Sequence, residues 1–304
     1  MKEVVNVQID GQVLQLKNLS KVLDSTSNTT RAQVIQYYAS VQNLILPHLK
    51  NRPFTQIVFT DGVGGASFYK KVPPKNPPTF LALADLPSKS KGSASWALVN
   101  NLASITYMVT LGCIEMHTWL SCVKAPKNPT YAAIDLDPNG TTSFKDTILI
   151  ANAFRVLLNK LAIHSVPKTS GKRGIHIMLP IKDTGFDDVQ KFLYRLSQVV
   201  ANKYPDKATL NRSVNARGNR IYLDTLQNAY GKTIAAPYSL RATPNLTISM
   251  PLKWDDIKEG LDPTAFNIST FKNAITNGKG LTHLRESDPL KNFYDKAKPI
   301  TNLL

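Results

Sequence analysis

The stretch Tyr131-Ala-Ala-Ile-Asp-Leu-Asp-Pro138 governs how this chain is read. A short apolar run leads into two carboxylates separated by one leucine, and a proline follows. Alternate side chains of an extended strand share a face, so Asp135 and Asp137 project to the same side, about 7 Å apart along the backbone. A second run, Ile221-Tyr-Leu-Asp224, closes on a third carboxylate. Between the two runs the pattern predicts a helix over 147–161, a strand over 174–179 and a helix over 187–201. Strand–helix–strand–helix–strand makes an α/β (α+β) module whose sheet carries the acids. Three such carboxylates can hold two divalent cations about 4 Å apart, which clamp the attacking and leaving oxygens of phosphoryl transfer. By spacing alone, a solvated turn fits the Asp-x-Asp pair more readily.

Outward from this module, residues 124–129 hold two prolines and no apolar periodicity, and form the best boundary. Ahead of it the sequence predicts a hairpin, 4–9 and 13–16, about Asp10-Gly11. A helix over 30–46 is capped by Thr29 or Thr30 and stopped by Pro47. A strand over 54–59 enters the turn Asp61-Gly-Val-Gly-Gly65, and the proline-rich stretch 72–78 is a connector. A strand over 96–99, a helix over 102–111 closed by Gly112 and a strand over 113–117 complete this half. Beyond Trp254 the expectation is surface helices and a loose tail. One domain, 1–304, would thus hold modules at about 1–125 and 126–254 and a C-terminal part at 255–304.

The charge is unusual: 37 Lys and Arg against 21 Asp and Glu in 304 residues, a net +16. Such an excess suits a polyanion, since each neutralised phosphate releases condensed counterions. Nucleic acid is the favoured partner, with a membrane surface a weak second because no basic amphipathic helix stands out. No apolar stretch approaches the roughly 20 residues that span a bilayer, and the N terminus lacks the regions of a signal peptide. The expected location is the cytoplasm, associated with the nucleoid. Two cysteines, Cys113 and Cys122, exclude a disulfide framework and a four-cysteine zinc site.

Other constellations carry chemistry beside a plainer alternative. Thr169-Ser-Gly-Lys-Arg-Gly-Ile-His176 joins two strands; its small residues let backbone amides approach an anion, and Ser170, Lys172 and Arg173 add donors. The plain alternative is a basic surface turn, and the spacing is not that of a P-loop. Gln227, Lys232 and Arg241 follow Asp224 and would suit a triphosphate, though each alone fits an exposed residue. Phe68-Tyr-Lys-Lys71 pairs two aromatics with two cations, a base-stacking platform if exposed and core if not. Asn18, Lys21 and Arg31 cluster near a helix start, where phosphates bind. His117 shares a strand face with Glu115, and no zinc-ligand spacing accompanies it.

In order along the chain, these blocks resemble the polymerase domain of prokaryotic DNA ligase D, the non-homologous end-joining branch of the archaeo-eukaryotic primase superfamily. The resemblance runs from about Leu16 to Trp254. Its blocks include Leu16-Lys-Asn-Leu-Ser-Lys-Val-Leu23, Leu46-Pro-His-Leu-Lys-Asn-Arg-Pro53, Leu111-Gly-Cys-Ile-Glu-Met-His117, Leu223-Asp-Thr-Leu-Gln-Asn228 and Ala236-Pro-Tyr-Ser-Leu-Arg-Ala242. It implies a primase-type core of two packed modules with mixed and antiparallel sheets, the catalytic one RRM-like. It also implies a template-directed nucleotidyltransferase that fills short gaps at DNA breaks, favours NTPs over dNTPs and uses two Mn²⁺ or Mg²⁺ ions. By that likeness Asp135, Asp137 and Asp224 bind the metals and carry catalysis. His117, Ser170, Lys172, Arg173, His176, Gln227, Lys232 and Arg241 would hold the nucleotide. Phe68 and Tyr69 would pack on template bases, and Asn18, Lys21 and Arg31 would capture a downstream 5′-phosphate. Arg52, Lys70, Lys71 and Arg217 would be further DNA contacts. The family usually has lysine where Arg173 and Arg31 stand, which keeps the charge and alters the geometry. No Lys-x-Asp-Gly nucleotidylation motif is present, so a separate ATP-dependent DNA ligase and a Ku-type end-binding protein are the expected partners. Primer synthesis without a primer, or non-catalytic bridging of DNA ends, are the alternatives.

Overall fold

The computed structural model describes residues 4–88, 92–276 and 287–301. The first part of the chain forms β1 (Val4–Ile9), β2 (Gln12–Lys17), β3 (Val22–Asp24), β4 (Thr29–Thr30), α1 (Arg31–Leu49), β5 (Phe54–Phe59) and β6 (Ser67–Lys70). Next come β7 (Ala82–Ser88), β8 (Gly92–Leu98), α2 (Leu102–Thr110) and β9 (Cys113–Trp119). There follow β10 (Tyr131–Pro138), α3 (Phe144–Lys160), β11 (Val166–Thr169), β12 (Ile175–Pro180), α4 (Phe186–Lys203) and β13 (Ala208–Thr209). The last elements are α5 (Val214–Arg217), β14 (Ile221–Asp224), β15 (Thr233–Ala235) and α6 (Ile268–Thr276). They form two compact units: Met1–Lys124 with Thr233–Ser249 and Thr264–Glu286, and Ala125–Lys232 with Met250–Pro263 and Ser287–Leu304.

In the first unit an antiparallel sheet of order β15-β9-β5-β6 carries two fully buried strands, β5 and β9. The helix α1 starts on a capping box: Thr30 Oγ1 accepts from the Gln33 amide, and the Gln33 side chain accepts from the Thr30 amide. Val34, Tyr38, Val41 and Ile45 follow at helical spacing and are completely buried. Two tyrosines pin it to the rest of the unit, Tyr37 donating to the Tyr238 carbonyl (2.8 Å) and Tyr38 to the Ile114 carbonyl (2.7 Å). Contrary to expectation, Pro47 does not stop this helix. A proline forfeits its own amide bond and crowds the carbonyl four residues back. Here that loss falls in the last turn, which still closes through the Lys50 amide on the Leu46 carbonyl.

In the second unit the sheet order is β11-β12-β10-β14-β13, antiparallel except for the β13–β14 pair. Its register puts Ile134 opposite Ile177 and Leu136 opposite both Ile175 and Leu223. This apolar row lies on the face covered by α3 and α4, while the alternating residues of β10, Asp135 and Asp137, lie on the other. Contrary to expectation, the described residues 287–301 are not a loose tail. Phe293 and Ile300 are each only 1% exposed, Tyr294 stacks edge-on to Tyr131, and Lys298 bridges Ile181. The result is a mixed α/β fold with antiparallel and mixed sheets. Among the described residues no helix is long and apolar enough to cross a membrane.

Candidate active site

In the second unit Asp135 on β10 is directly opposite Asp224 on β14 and His176 on β12. Directly opposed residues of an antiparallel pair have Cα atoms about 4.5–5.5 Å apart and side chains on one face. Asp137, two residues on, shares that face and is opposite Tyr222. The register alone therefore gathers the three carboxylates, and each is turned to a donor of its own. Asp137 Oδ2 accepts from Arg217 Nη1 at 3.1 Å, and the same guanidinium lies 3.9 Å from the Tyr222 ring. Burial, then the Asp224 charge, raises the Tyr222 phenol above its usual pKa. Asp224 accepts from the Leu226 amide (2.8 Å) and the Gln227 side chain (3.3 Å). Asp135 Oδ1 is 3.4 Å from His176 Nε2.

The loop between β11 and β12 is held by one hydroxyl. Ser170 Oγ accepts from the amides of Lys172 (3.1 Å) and Gly174 (3.0 Å), and the Ser170 amide bonds the Gly174 carbonyl. Gly171 has φ +71°, a region open to glycine. A Cβ on Gly174 would be 2.3 Å from the Leu136 carbonyl oxygen, so only glycine lets the loop press against the carboxylate strand. Lys172 and Arg173 are thereby left exposed, with Arg173 Nη2 on the Gly140 carbonyl at 2.9 Å. Lys232, the last residue of the stretch Ala125–Lys232, is also exposed.

In the first unit Glu115, 1% exposed, is the hub of a second constellation. Its Oε2 is 3.1 Å from His117 Nε2 and 2.9 Å from Arg241 Nε, and its Oε1 accepts from the Ala242 amide at 3.0 Å. One buried carboxylate thus holds two expected nucleotide-binding residues that are far apart in sequence. The Tyr69 ring is 6.4 Å from that of His117, edge-on. Phe68 and Tyr69 on the edge strand β6 are 53% and 66% exposed, with Lys70 and Lys71 exposed beside them. Asn18, Lys21 and Arg31 are brought together at the start of α1. The Lys21 amide bonds the Asn18 carbonyl, the Arg31 amide bonds the Lys21 carbonyl, and Lys21 Nζ reaches the Thr60 carbonyl. Arg31 is itself largely buried, its Nη1 on the Lys17 carbonyl, and burial lowers its pKa. One expectation fails here: Arg52 is not on a DNA-facing surface. It is 2% exposed, and its Nη1 donates to the Leu120 carbonyl at 2.9 Å, a structural bond within the core.

The sequence matches the family model for the LigD primase-polymerase domain over residues 30–281. The chain belongs to that family. It is 31% identical over 264 residues to the bifunctional non-homologous end joining protein LigD of Bacillus subtilis, covering 86% of this chain and 42% of that protein. With the multifunctional non-homologous end joining protein LigD of Mycolicibacterium smegmatis it shares 28% identity over 249 residues, 81% of this chain and 32% of the other. The chain therefore spans less than half the length of these curated relatives. Its fold is similar to the polymerase domain of Mycobacterium tuberculosis ligase D solved in complex with DNA. That match has a TM-score of 0.82 at 23% identity, over 94% of this chain and 99% of the other. As a LigD primase-polymerase domain, the chain is a nucleotidyltransferase.

Three carboxylates on one sheet face are hard oxygen donors of the kind Mg²⁺ and Mn²⁺ take. Among the described residues, however, no three His, Cys, Asp or Glu side chains stand together as a ready metal cage. Like charges repel, and Asp135, Asp137 and Asp224 each lie against a donor of their own, His176, Arg217 and Gln227. The donor set still fits, because Mg²⁺ is commonly bound by one or two carboxylates together with substrate phosphates. Two residues of these constellations escape sequence-based assignment: Glu115 as a fork, and the buried Lys168 beside His176.

Proposed function

We propose that this chain extends 3′ ends and fills short gaps at DNA double-strand breaks in non-homologous end joining. It does so template-directed, from NTPs in preference to dNTPs, with two divalent cations held by Asp135, Asp137 and Asp224. The observation that carries this is the shared face of those three carboxylates in a LigD primase-polymerase fold, beside the loop fixed by Ser170. Bound cations supply charge neutralisation and Lewis acidity to the reacting oxygens.

The chain's own residues do the rest. Arg217 leaves Asp137 when the carboxylate is needed, and its cation–π contact with Tyr222 keeps the guanidinium nearby. Ser170, Lys172, Arg173 and Lys232 offset triphosphate charge and orient the leaving pyrophosphate. Gln227 and the Leu226 amide keep Asp224 fixed in one rotamer. On the first unit, the pair His117 and Arg241 offers an imidazole and a guanidinium to an anionic nucleotide. Phe68 and Tyr69 stack on template bases, each stack worth about 1–3 kcal/mol, and Lys70 and Lys71 neutralise the flanking backbone. Asn18, Lys21 and Arg31, at the N-terminal end of α1, take a downstream 5′-phosphate. Ligation and end binding lie outside this polymerase domain and call for a DNA ligase activity and a Ku-type end-binding protein.

Primer extension on gapped DNA, with and without the downstream 5′-phosphate and with NTPs against dNTPs, tests this function. Extension should be strongest on phosphorylated gaps with NTPs, and Asp135→Asn should abolish it without loss of DNA binding. Full extension by Asp135→Asn in Mn²⁺ would overturn the metal assignment, and a dNTP preference would overturn the sugar choice.

A further inference from the structure

Lys168 is 0% exposed in the middle of β11, a place where a strand normally carries an apolar side chain. Burying an ammonium costs several kcal/mol unless strong partners meet it, so the residue demands a reason. The register supplies one. Lys168 is opposite His176, His176 is opposite Asp135, and Asp135 is opposite Asp224, a single row across four strands. Along that row Lys168 Nζ is 2.8 Å from His176 Nδ1, and His176 Nε2 is 3.4 Å from Asp135 Oδ1. An ammonium has three donors and no acceptor. A ring nitrogen bonded to it must therefore accept, which leaves the ring proton of a neutral imidazole on the other nitrogen.

We propose that Lys168 is a positioning residue that fixes His176 as its Nε2–H tautomer, so that the imidazole presents a donor to the carboxylate row and to a triphosphate oxygen arriving there. The assignment rests on the nucleotidyltransferase reading of this face for its purpose, not for its geometry. A histidine free to change tautomer would present a lone pair to the anionic ligand part of the time, and the buried lysine removes that option. The logic matches that of ligand-orienting partners elsewhere, where the group behind a site residue selects its tautomer.

The test is long-range ¹H–¹⁵N correlation of ¹⁵N-histidine-labelled full-length protein at about pH 8, above the ordinary imidazole pKa of about 6.5. The chain has five histidines, and His176→Gln identifies the signal. His176 should show the Nε2–H pattern in the wild type and a mixed pattern in Lys168→Met, which keeps length without charge. In steady-state extension Lys168→Met should raise KM for the nucleotide about tenfold with a smaller change in kcat. Lys168→Arg, which retains a donor, should restore most of it. An Nδ1–H pattern in the wild type, or an unchanged pattern in Lys168→Met, overturns the proposal. If Lys168→Met fails to fold, the wild-type spectrum and Lys168→Arg still decide. A wild type that shows the Nε2–H pattern but extends no primer leaves the tautomer assignment standing and defeats the proposed function instead.

Discussion

Asp137 and Arg217 show how a single contact can gate a site. The carboxylate is more than half exposed and the guanidinium is largely buried against Tyr222. A part-exposed ion pair is worth at most about 1 kcal/mol, so a divalent cation can displace it. Replacing Arg217 with Ala frees Asp137, and calorimetric titration of the DNA-free protein should show Mn²⁺ affinity rising by up to about fivefold. An unchanged affinity would mean that the contact does not compete with the metal. At this scale the sequence was informative where chemistry is local. Asp135-x-Asp137 announces a shared strand face by period alone. Glu115 as the fork for His117 and Arg241 was not legible, because Arg241 is 126 residues away and only the fold joins them. Arg52 misled for the opposite reason: a cation in a basic block suggests DNA, yet its bond to a backbone carbonyl fixes it inside the core.

Among the elements, α3 begins three residues before its apolar periodicity does, because Ser143 caps it. Ser143 Oγ accepts from the Asp146 amide and donates to the Asp146 carboxylate at 2.8 Å. Ser143→Ala should cost about 1 kcal/mol in chemical denaturation. Lys207, 2.8 Å from Asp146, is the main cause that lowers the carboxyl pKa. A folded pKa below the unfolded value stabilises above the unfolded value, about 3.9, and that contribution is lost as pH falls through the folded value. Lys207→Met should therefore lower Tm slightly at pH 7 and progressively less below about pH 4. At Gly174 a methyl group would meet the Leu136 carbonyl at 2.3 Å, backbone against backbone. Gly174→Ala should destabilise by about 1–3 kcal/mol and reduce extension, because it pushes the loop off the strand that carries Asp135. Two of the strands to which sequence reasoning gave no span, β7 and β11, share a cause. Each contains a proline, Pro87 or Pro167, which ordinarily demotes a strand. Pairing from a neighbour, β8 or β12, overrides the local preference.

For the whole molecule, the net charge of +16 is the term that acts at a distance. Binding to gapped DNA should fall steeply with salt, with a log–log slope of about −0.9 for each phosphate neutralised. Lys21→Ala should reduce that slope by about 1, and only on DNA that carries the downstream 5′-phosphate. An equal loss on unphosphorylated DNA would place Lys21 on the general backbone instead. The path of the chain has a consequence for how the protein is made. The first unit opens the chain, yet β15 and Arg241 belong to it and leave the ribosome only after every strand of the second unit's sheet. Until residue 235 emerges, β9 is an open edge with unpaired amides and carbonyls, and Glu115 waits without the guanidinium that balances it. The unit whose synthesis begins first therefore cannot close its sheet until the whole sheet of the second has been made.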